Sequence, residues 1–268
     1  MAVASLPMYD LPEVRAATDG WWQGLAQAFR REGIEDVPTR LDRASDYRES
    51  WHRPDLMFSQ TCGYPLTHAL AGRLEVLATP CYAADGCKGP SYCSFIIVGE
   101  GLPAATIADL RGARAAINAR DSQSGYSALR SAIAPHARKG RFFSSVTESG
   151  SHIASLELVA SGSVDVAAID CVTHAMLARY RPAVLRGTRV LMRTVSAPGL
   201  PYVTRSGAGA DLTDRLRTAV QRAFADPQLL AVRDALLLTG APVLPPSAYD
   251  RITELESAAI AAGYPEIA

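Results

Sequence analysis

Short apolar runs alternate with stretches of helical period along the whole chain, and few folds accept that order. Residues 3–6, 38–41, 55–59, 74–79, 92–98, 113–118, 142–146, 164–169, 190–195 and 202–204 read as strands. Residues 18–31, 61–70, 107–112, 126–137, 152–161, 171–180, 212–225, 227–238 and 246–262 read as helices, the first with Trp21, Trp22, Leu25, Ala26 and Phe29 on one core face. Such alternation predicts an α/β architecture with mainly parallel sheets. The 268 residues suffice for two lobes of ordinary domain size. No Pro/Gly-rich linker divides them, so the chain is expected to cross between lobes more than once.

In doubly wound folds a ligand sits beyond the carboxyl ends of strands, where a loop starts a helix. Four such junctions here are rich in polar groups. They are Ser59-Gln60-Thr61-Cys62-Gly63-Tyr64, Asp121-Ser122-Gln123-Ser124-Gly125-Tyr126, Glu148-Ser149-Gly150-Ser151-His152 and Asp170-Cys171-Val172-Thr173. At a helix start the first amides have no intrahelical partner and the dipole is positive. The hydroxyls and carboxamide of Ser122, Gln123 and Ser124, with Gly125 beside them, therefore make a cradle for a small anion. Each junction also fits a plain cap, with Asp121 or Ser122 holding one helix and Asp170 another. His152 reads either as a ligand contact or as a structural residue at a helix start.

Twenty-seven basic and 27 acidic residues cancel, so no bulk charge points to nucleic acid or an anionic membrane. An anion would rely on local dipoles and hydrogen bonds. No run approaches the ~18 apolar residues of a membrane helix. The first residues lack a basic start and a long apolar core, which predicts a cytoplasmic protein, or a periplasmic one whose native leader was removed. Five cysteines without metal-type spacing argue against a zinc site. Cys81 and Cys87 flank a short loop; they are free thiols in a reducing compartment or bridge across it in an oxidising one. No P-loop, Gly-x-Gly-x-x-Gly, His-Glu-x-x-His or Gly-x-Ser-x-Gly occurs. Neither a cofactor nor a metal is expected, and no catalytic residue stands out.

Several stretches in order carry a family resemblance: Gly89-Pro-Ser-Tyr92-Cys-Ser94-Phe-Ile-Ile-Val98, Ile107-Ala-Asp-Leu-Arg-Gly112, Asp121-Ser-Gln-Ser-Gly-Tyr126, Ser149-Gly-Ser-His152, Gly162-Ser-Val-Asp-Val-Ala167 and Ser196-Ala-Pro-Gly-Leu-Pro201. Over roughly 3–238 the chain resembles the PhnD-like phosphate, phosphite and phosphonate substrate-binding proteins of ABC transporters, of the type 2 periplasmic binding fold. The resemblance implies that Ser122, Gln123 and Ser124 hold an oxyanion and that His152 and Tyr92 contact it. Where the family uses an aromatic hydroxyl after the first-lobe strand, near Ser59 here, Tyr64 or Gln60 takes its place. Amino-phosphonate binders have an acidic residue in the Pro-Gly turn; Leu200 stands there, which argues against an amino-bearing ligand.

The reading is a two-lobed α/β binding protein, with 1–93 plus 196–268 as lobe one, 94–195 as lobe two, and a ligand cleft between them closed by a hinge. The expected ligand is a small oxyanion-bearing compound. The candidate contacts are Gln60, Thr61, Tyr64, Tyr92, Ser122, Gln123, Ser124, Gly125, Tyr126, His152 and Asp170. The expected partner is an ABC transporter permease, and the expected state is a monomer. The rival is a cytoplasmic biosynthetic enzyme on the same fold, of menaquinone or thiamine-pyrimidine type, with His152 as general base and Cys62 or Cys93 nearby.

Overall fold

The computed structural model describes residues 2–44 and 46–268. In chain order the elements are β1 (Val3–Ala4), α1 (Arg15–Arg31), α2 (Tyr47–Ser50), β2 (Leu56–Gln60), α3 (Gly63–Thr67), β3 (Leu74–Ala78), β4 (Cys81–Tyr82), β5 (Ser91–Tyr92), β6 (Ser94–Gly99), β7 (Arg114–Ile117), α4 (Ala128–Ile133), β8 (Ser145–Glu148), α5 (His152–Ala160), β9 (Val166–Asp170), α6 (Cys171–Tyr180), β10 (Thr188–Arg193), β11 (Ala197–Pro198), β12 (Tyr202–Arg205), α7 (Ala210–Ala225), α8 (Leu230–Ala235), β13 (Leu238–Gly240) and α9 (Asp250–Ala261). They form two compact units, Met1–Ala83 with Gly199–Ala248, and Ala84–Pro198 with Tyr249–Ala268.

The first unit has a sheet of order β1-β2-β12-β3. Its core follows from the apolar face of α1, which buries Trp21, Trp22, Leu25, Ala26 and Phe29. Trp22 packs on Phe29 and Phe58, and Phe58 on Tyr202. Each such side chain contributes roughly 1.5–3 kcal/mol on burial. The indole N–H of Trp21 donates to the Tyr202 hydroxyl at 2.9 Å, so the buried polar tips satisfy each other.

The second unit has a sheet of order β10-β6-β9-β7-β8. β5 and β11, which flank the two passages of the chain into and out of this unit, pair antiparallel through Tyr92 and Ala197. Residues 249–268, read from sequence with lobe one, pack in this unit. Arg130 on α4 bonds Glu256 at 2.7 Å and the Pro265 carbonyl at 2.8 Å. The amides of Phe142 and Phe143 donate to the Ala268 carbonyl, and Tyr264 and Ile267 enter the unit's apolar core.

The sheets are mixed rather than mainly parallel. β1–β2, β7–β8 and β7–β9 are parallel, whereas β6 and β12 run against both neighbours. β6 and β12 are the main-sheet strands that follow each passage between units, so no local helical crossover forces them parallel. Several elements also differ from the sequence reading, among them the strand read at 142–146, which is Ser145–Glu148. Residues 38–41 form no strand, since Pro38 has no amide to offer a ladder. The 126–137 helix is a π-turn at Gln123–Ser127, then α4, then a 3-10 turn at Ala134–His136 where Pro135 removes a donor. The helix from 227 ends at Ala235, and Leu237 turns with φ 58° into β13. Among the described residues no helix is long and apolar enough to cross a membrane.

Candidate functional site

In the second unit β7 delivers the chain into the serine-rich turn. Ser122 is extended and its Oγ accepts from the Gly125 amide at 3.0 Å, so this hydroxyl caps the helix. The Ser127 amide reaches the Ser122 carbonyl at 2.9 Å, which widens the first turn into a π-turn. The Ser124 carbonyl accepts from Ser94 Oγ at 2.9 Å, fastening the turn to the start of β6. Ser124 Oγ lies 2.9 Å from His152 Nε2. A Cβ on Gly125 would stand 1.9 Å from Asn118 Oδ1 and 3.1 Å from His152 Cε1, so only glycine lets the turn and the imidazole approach this closely. Ser122, Gln123, Ser124 and Ser127 are all buried, and neither Asn118 Oδ1 nor Ser127 Oγ finds a hydrogen-bond partner among the described residues. Buried polar groups of this kind are costly, and they mark the turn as built for something polar.

His152 is the first residue of α5, behind Ser151, whose Oγ caps the helix by accepting from the Ala154 amide at 3.1 Å. Burial pushes the His152 pKa down to about 4, against a weaker opposite pull from the Ala168 carbonyl. The residue as a whole keeps partial exposure, but Nδ1 is buried, so the ring behaves as an enclosed group. It is a neutral imidazole at pH 7.

Two of the expected contacts on this unit have other work. Tyr126 enters the apolar core with the Arg130 guanidinium 5.2 Å over its ring. Asp170, buried at the end of β9, caps α6 by accepting from the Val172 and Thr173 amides at 2.7 and 2.9 Å. Tyr92 is buried on β5 opposite Ala197.

On the first unit Gln60 ends β2, and its Nε2 donates to the Tyr82 hydroxyl and to the Leu200 carbonyl, both at 3.0 Å. The Thr61 amide donates to the Pro201 carbonyl at 3.2 Å. Tyr64 lies flat on His68, with centroids 3.8 Å apart. Ser59 is held by Ser5 and by the Trp51 indole. Sequence reasoning missed Tyr9, which meets Tyr82 edge-on at 5.2 Å and holds φ 64°, an uncommon backbone state for a non-glycine residue. The strand-end rule used for the other junctions, applied to β1, would have found this loop.

Cys93 does not fit the nucleophile of the enzymatic rival. Contact with Cys171, then burial, holds the Cys93 thiol far above the usual range, so it is no ready thiolate. His152 pairs with Ser124, yet no carboxylate orients its Nδ1 among the described residues. Among those residues no group of three or more His, Cys, Asp or Glu side chains could hold a metal ion. What the turn offers is hydrogen bonding: hydroxyls, a carboxamide and a neutral imidazole around a glycine at the head of a helix.

The sequence model of one protein family, described as ABC transporter, phosphonate, periplasmic substrate-binding protein, matches residues 15–241. No curated protein matches the chain. Among solved structures, XAC2383 from Xanthomonas citri bound to chloride is 18% identical with a TM-score of 0.74, each chain covering 98% of the other. A binding protein component of an ABC phosphonate transporter from Pseudomonas aeruginosa is 16% identical with a TM-score of 0.77, over 98% of this chain and 87% of that one. PhnD1 from Prochlorococcus marinus in complex with methylphosphonate is 16% identical with a TM-score of 0.76, over 96% and 97%. These likenesses establish the fold, and the family match across most of its length shows that the chain belongs to the phosphonate periplasmic substrate-binding proteins of ABC transporters.

Proposed function

We propose that this protein is the receptor of an importer for a small oxyanion of the phosphate or phosphonate class. The observation that carries the reading is the turn at Ser122–Gly125, where Ser124 Oγ and His152 Nε2 meet at 2.9 Å and a glycine leaves room for Asn118 and the imidazole beside the turn. Helix-start amides and hydroxyls stabilise an anion without a neighbouring cation. Arg130, the buried guanidinium on α4, is held by Glu256 and Pro265 and stands outside this role. Hinge closure of the first unit over the anion is part of the proposal. The receptor works in the periplasm and hands its ligand to a permease, as its family does. Leu200 offers only its carbonyl, to Gln60, so a ligand amine finds no carboxylate there.

A calorimetric and thermal-shift panel of phosphate, phosphite, methylphosphonate, 2-aminoethylphosphonate and sulfate tests this. At one hundred times Kd a ligand adds about 2.7 kcal/mol of stability, a readily measured rise in Tm. The expected result is stabilisation by a phosphorus oxyanion, weaker for the aminoethyl compound, with a smaller radius of gyration in solution scattering. A panel without any stabilising oxyanion would overturn the ligand class. Binding with an unchanged scattering profile would overturn closure alone.

A further inference from the structure

Three of the five cysteines meet around one glycine, and none of them is explained by the oxyanion turn. Gly86, with φ 91°, has no room for a side chain: a Cβ there would stand 2.9 Å from Cys171 Cβ and 2.9 Å from Cys93 Sγ. The absent side chain lets the segment after Ala83 lie directly on the head of α6. Cys87 Sγ then comes within 3.6 Å of Cys171 Sγ, and Cys93 also interacts with Cys171. The pairing of Cys87 with Cys81 offered by the sequence is thus replaced by a partner 84 positions away.

We propose that Cys87 and Cys171 form a reversible disulfide that staples residues 84–93, the first stretch of the second unit, to the head of α6. The geometry needs little change, because the sulfurs must approach by about 1.6 Å to reach bonding distance. Exposure sets the order of events. Cys87 is partly exposed and Cys171 is buried. A pocket of about 580 Å³, lined by Asp85, Cys171, His174 and Arg193, opens beside Cys171. The Cys87 thiolate attacks one sulfur of oxidised glutathione; that S–S bond breaks and one glutathione thiolate leaves. Cys171, whose thiol is held well above the usual range by its contact with Cys87, gives its proton to the departing glutathione thiolate as it attacks the Cys87 sulfur and expels the second glutathione. Two electrons pass from the two cysteines to the glutathione disulfide, and their two protons end on the released thiols. Cys93 is buried and keeps its thiol. The inference is independent of the ligand reading, since no residue of the oxyanion turn takes part.

The staple would bear on a segment that matters. Residues 84–93 run into β5, which pairs with β11, and into Ser94, which holds the Ser124 carbonyl. The test uses the full chain equilibrated in glutathione mixtures of decreasing reducing power, alkylated and digested with trypsin. Cleavage after Lys88 separates Cys87 from Cys93, and Cys171 lies on a third peptide. The expected product is the Cys87–Cys171 crosslink, lighter by two hydrogens, restored to thiols by excess reduced glutathione and absent in Cys87→Ser. Amide hydrogen exchange across 84–93 should slow severalfold in the oxidised form. Thiols at Cys87 and Cys171 that stay alkylatable throughout, or a crosslink at Cys81–Cys87 or Cys93–Cys171, would overturn the proposal. So would exchange across 84–93 that ignores the oxidation state.

Discussion

His152 is where sequence and environment make different demands on one side chain. An exposed histidine titrates near 6.5, but this ring, enclosed beside Ser124, titrates near 4. Between those values the unfolded chain binds more protons than the folded one, so stability rises as pH rises from 4 to 6.5. The contribution is complete above 6.5 and lost as pH falls through 4. Its size is on the order of 2–3 kcal/mol. Urea unfolding at pH 4.5 and pH 7.5 should show that difference in the native protein and a smaller one in His152→Asn; equal slopes would mean the ring is solvated. An anion held at Ser124 reverses the balance, because a negative charge beside the ring favours imidazolium. Phosphate or phosphonate binding at pH 5 should therefore take up a proton. Calorimetry at pH 5 in two buffers of unlike ionisation enthalpy should give different heats, and equal heats would leave the imidazole a neutral donor. Ser124→Ala removes one hydroxyl from a charged ligand, and about 1.5–3 kcal/mol predicts at least a tenfold weaker Kd. A Kd within twofold of the native value would exclude that hydroxyl from the site.

At the scale of the element, the π-turn between β7 and α4 depends on a side chain that is missing. Gly125→Ala would drive a methyl into the Asn118 carboxamide, and relief requires moving Asn118 or opening the turn. The expected cost is about 1–3 kcal/mol of stability and a loss of oxyanion binding larger than that of Ser124→Ala. A Gly125→Ala protein that binds normally would show that the turn yields easily. This element was legible in the sequence because hydroxyls, a carboxamide and a glycine stood together where an apolar run stopped. Tyr126 was not, since an aromatic residue at a helix start looks the same whether it faces a ligand or, as here, the core under Arg130. The loop carrying Tyr9 was within reach of the strand-end rule at β1, but the left-handed backbone of Tyr9 was not, since no composition announces it. Strand direction escaped for a different reason. β6 and β12 are apolar runs like β7, and their antiparallel setting comes from the unit the chain has just left, not from their residues.

For the whole molecule, the decisive long-range contact is the docking of the C-terminal segment on the second unit. A helix near 250–261 was readable from its apolar period, but its host was not, because the pairing of Arg130 with Glu256 spans 126 positions. Arg130 is 3% exposed, and its partner is 19% exposed, so the bond is nearly enclosed. Removing one member of a buried pair costs several kcal/mol; with Glu256 partly solvated, Glu256→Ala should cost about 2–3 kcal/mol. Truncation after Ala248 is harsher. It deletes Glu256, the Ala268 carbonyl that receives the Phe142 and Phe143 amides, and the buried rings and chains of Tyr264 and Ile267. These groups belong to the second unit, and the Trp22–Phe58–Tyr202 core belongs to the first. The truncated protein should therefore lose stability unevenly. Hydrogen exchange should show amides of β6, β7 and β9 exchanging fast while those of α1, β2 and β12 stay protected. Equal loss of protection in both sets would mean that the two units unfold as one cooperative body, and the C-terminal segment would then stabilise the chain as a whole rather than the second unit.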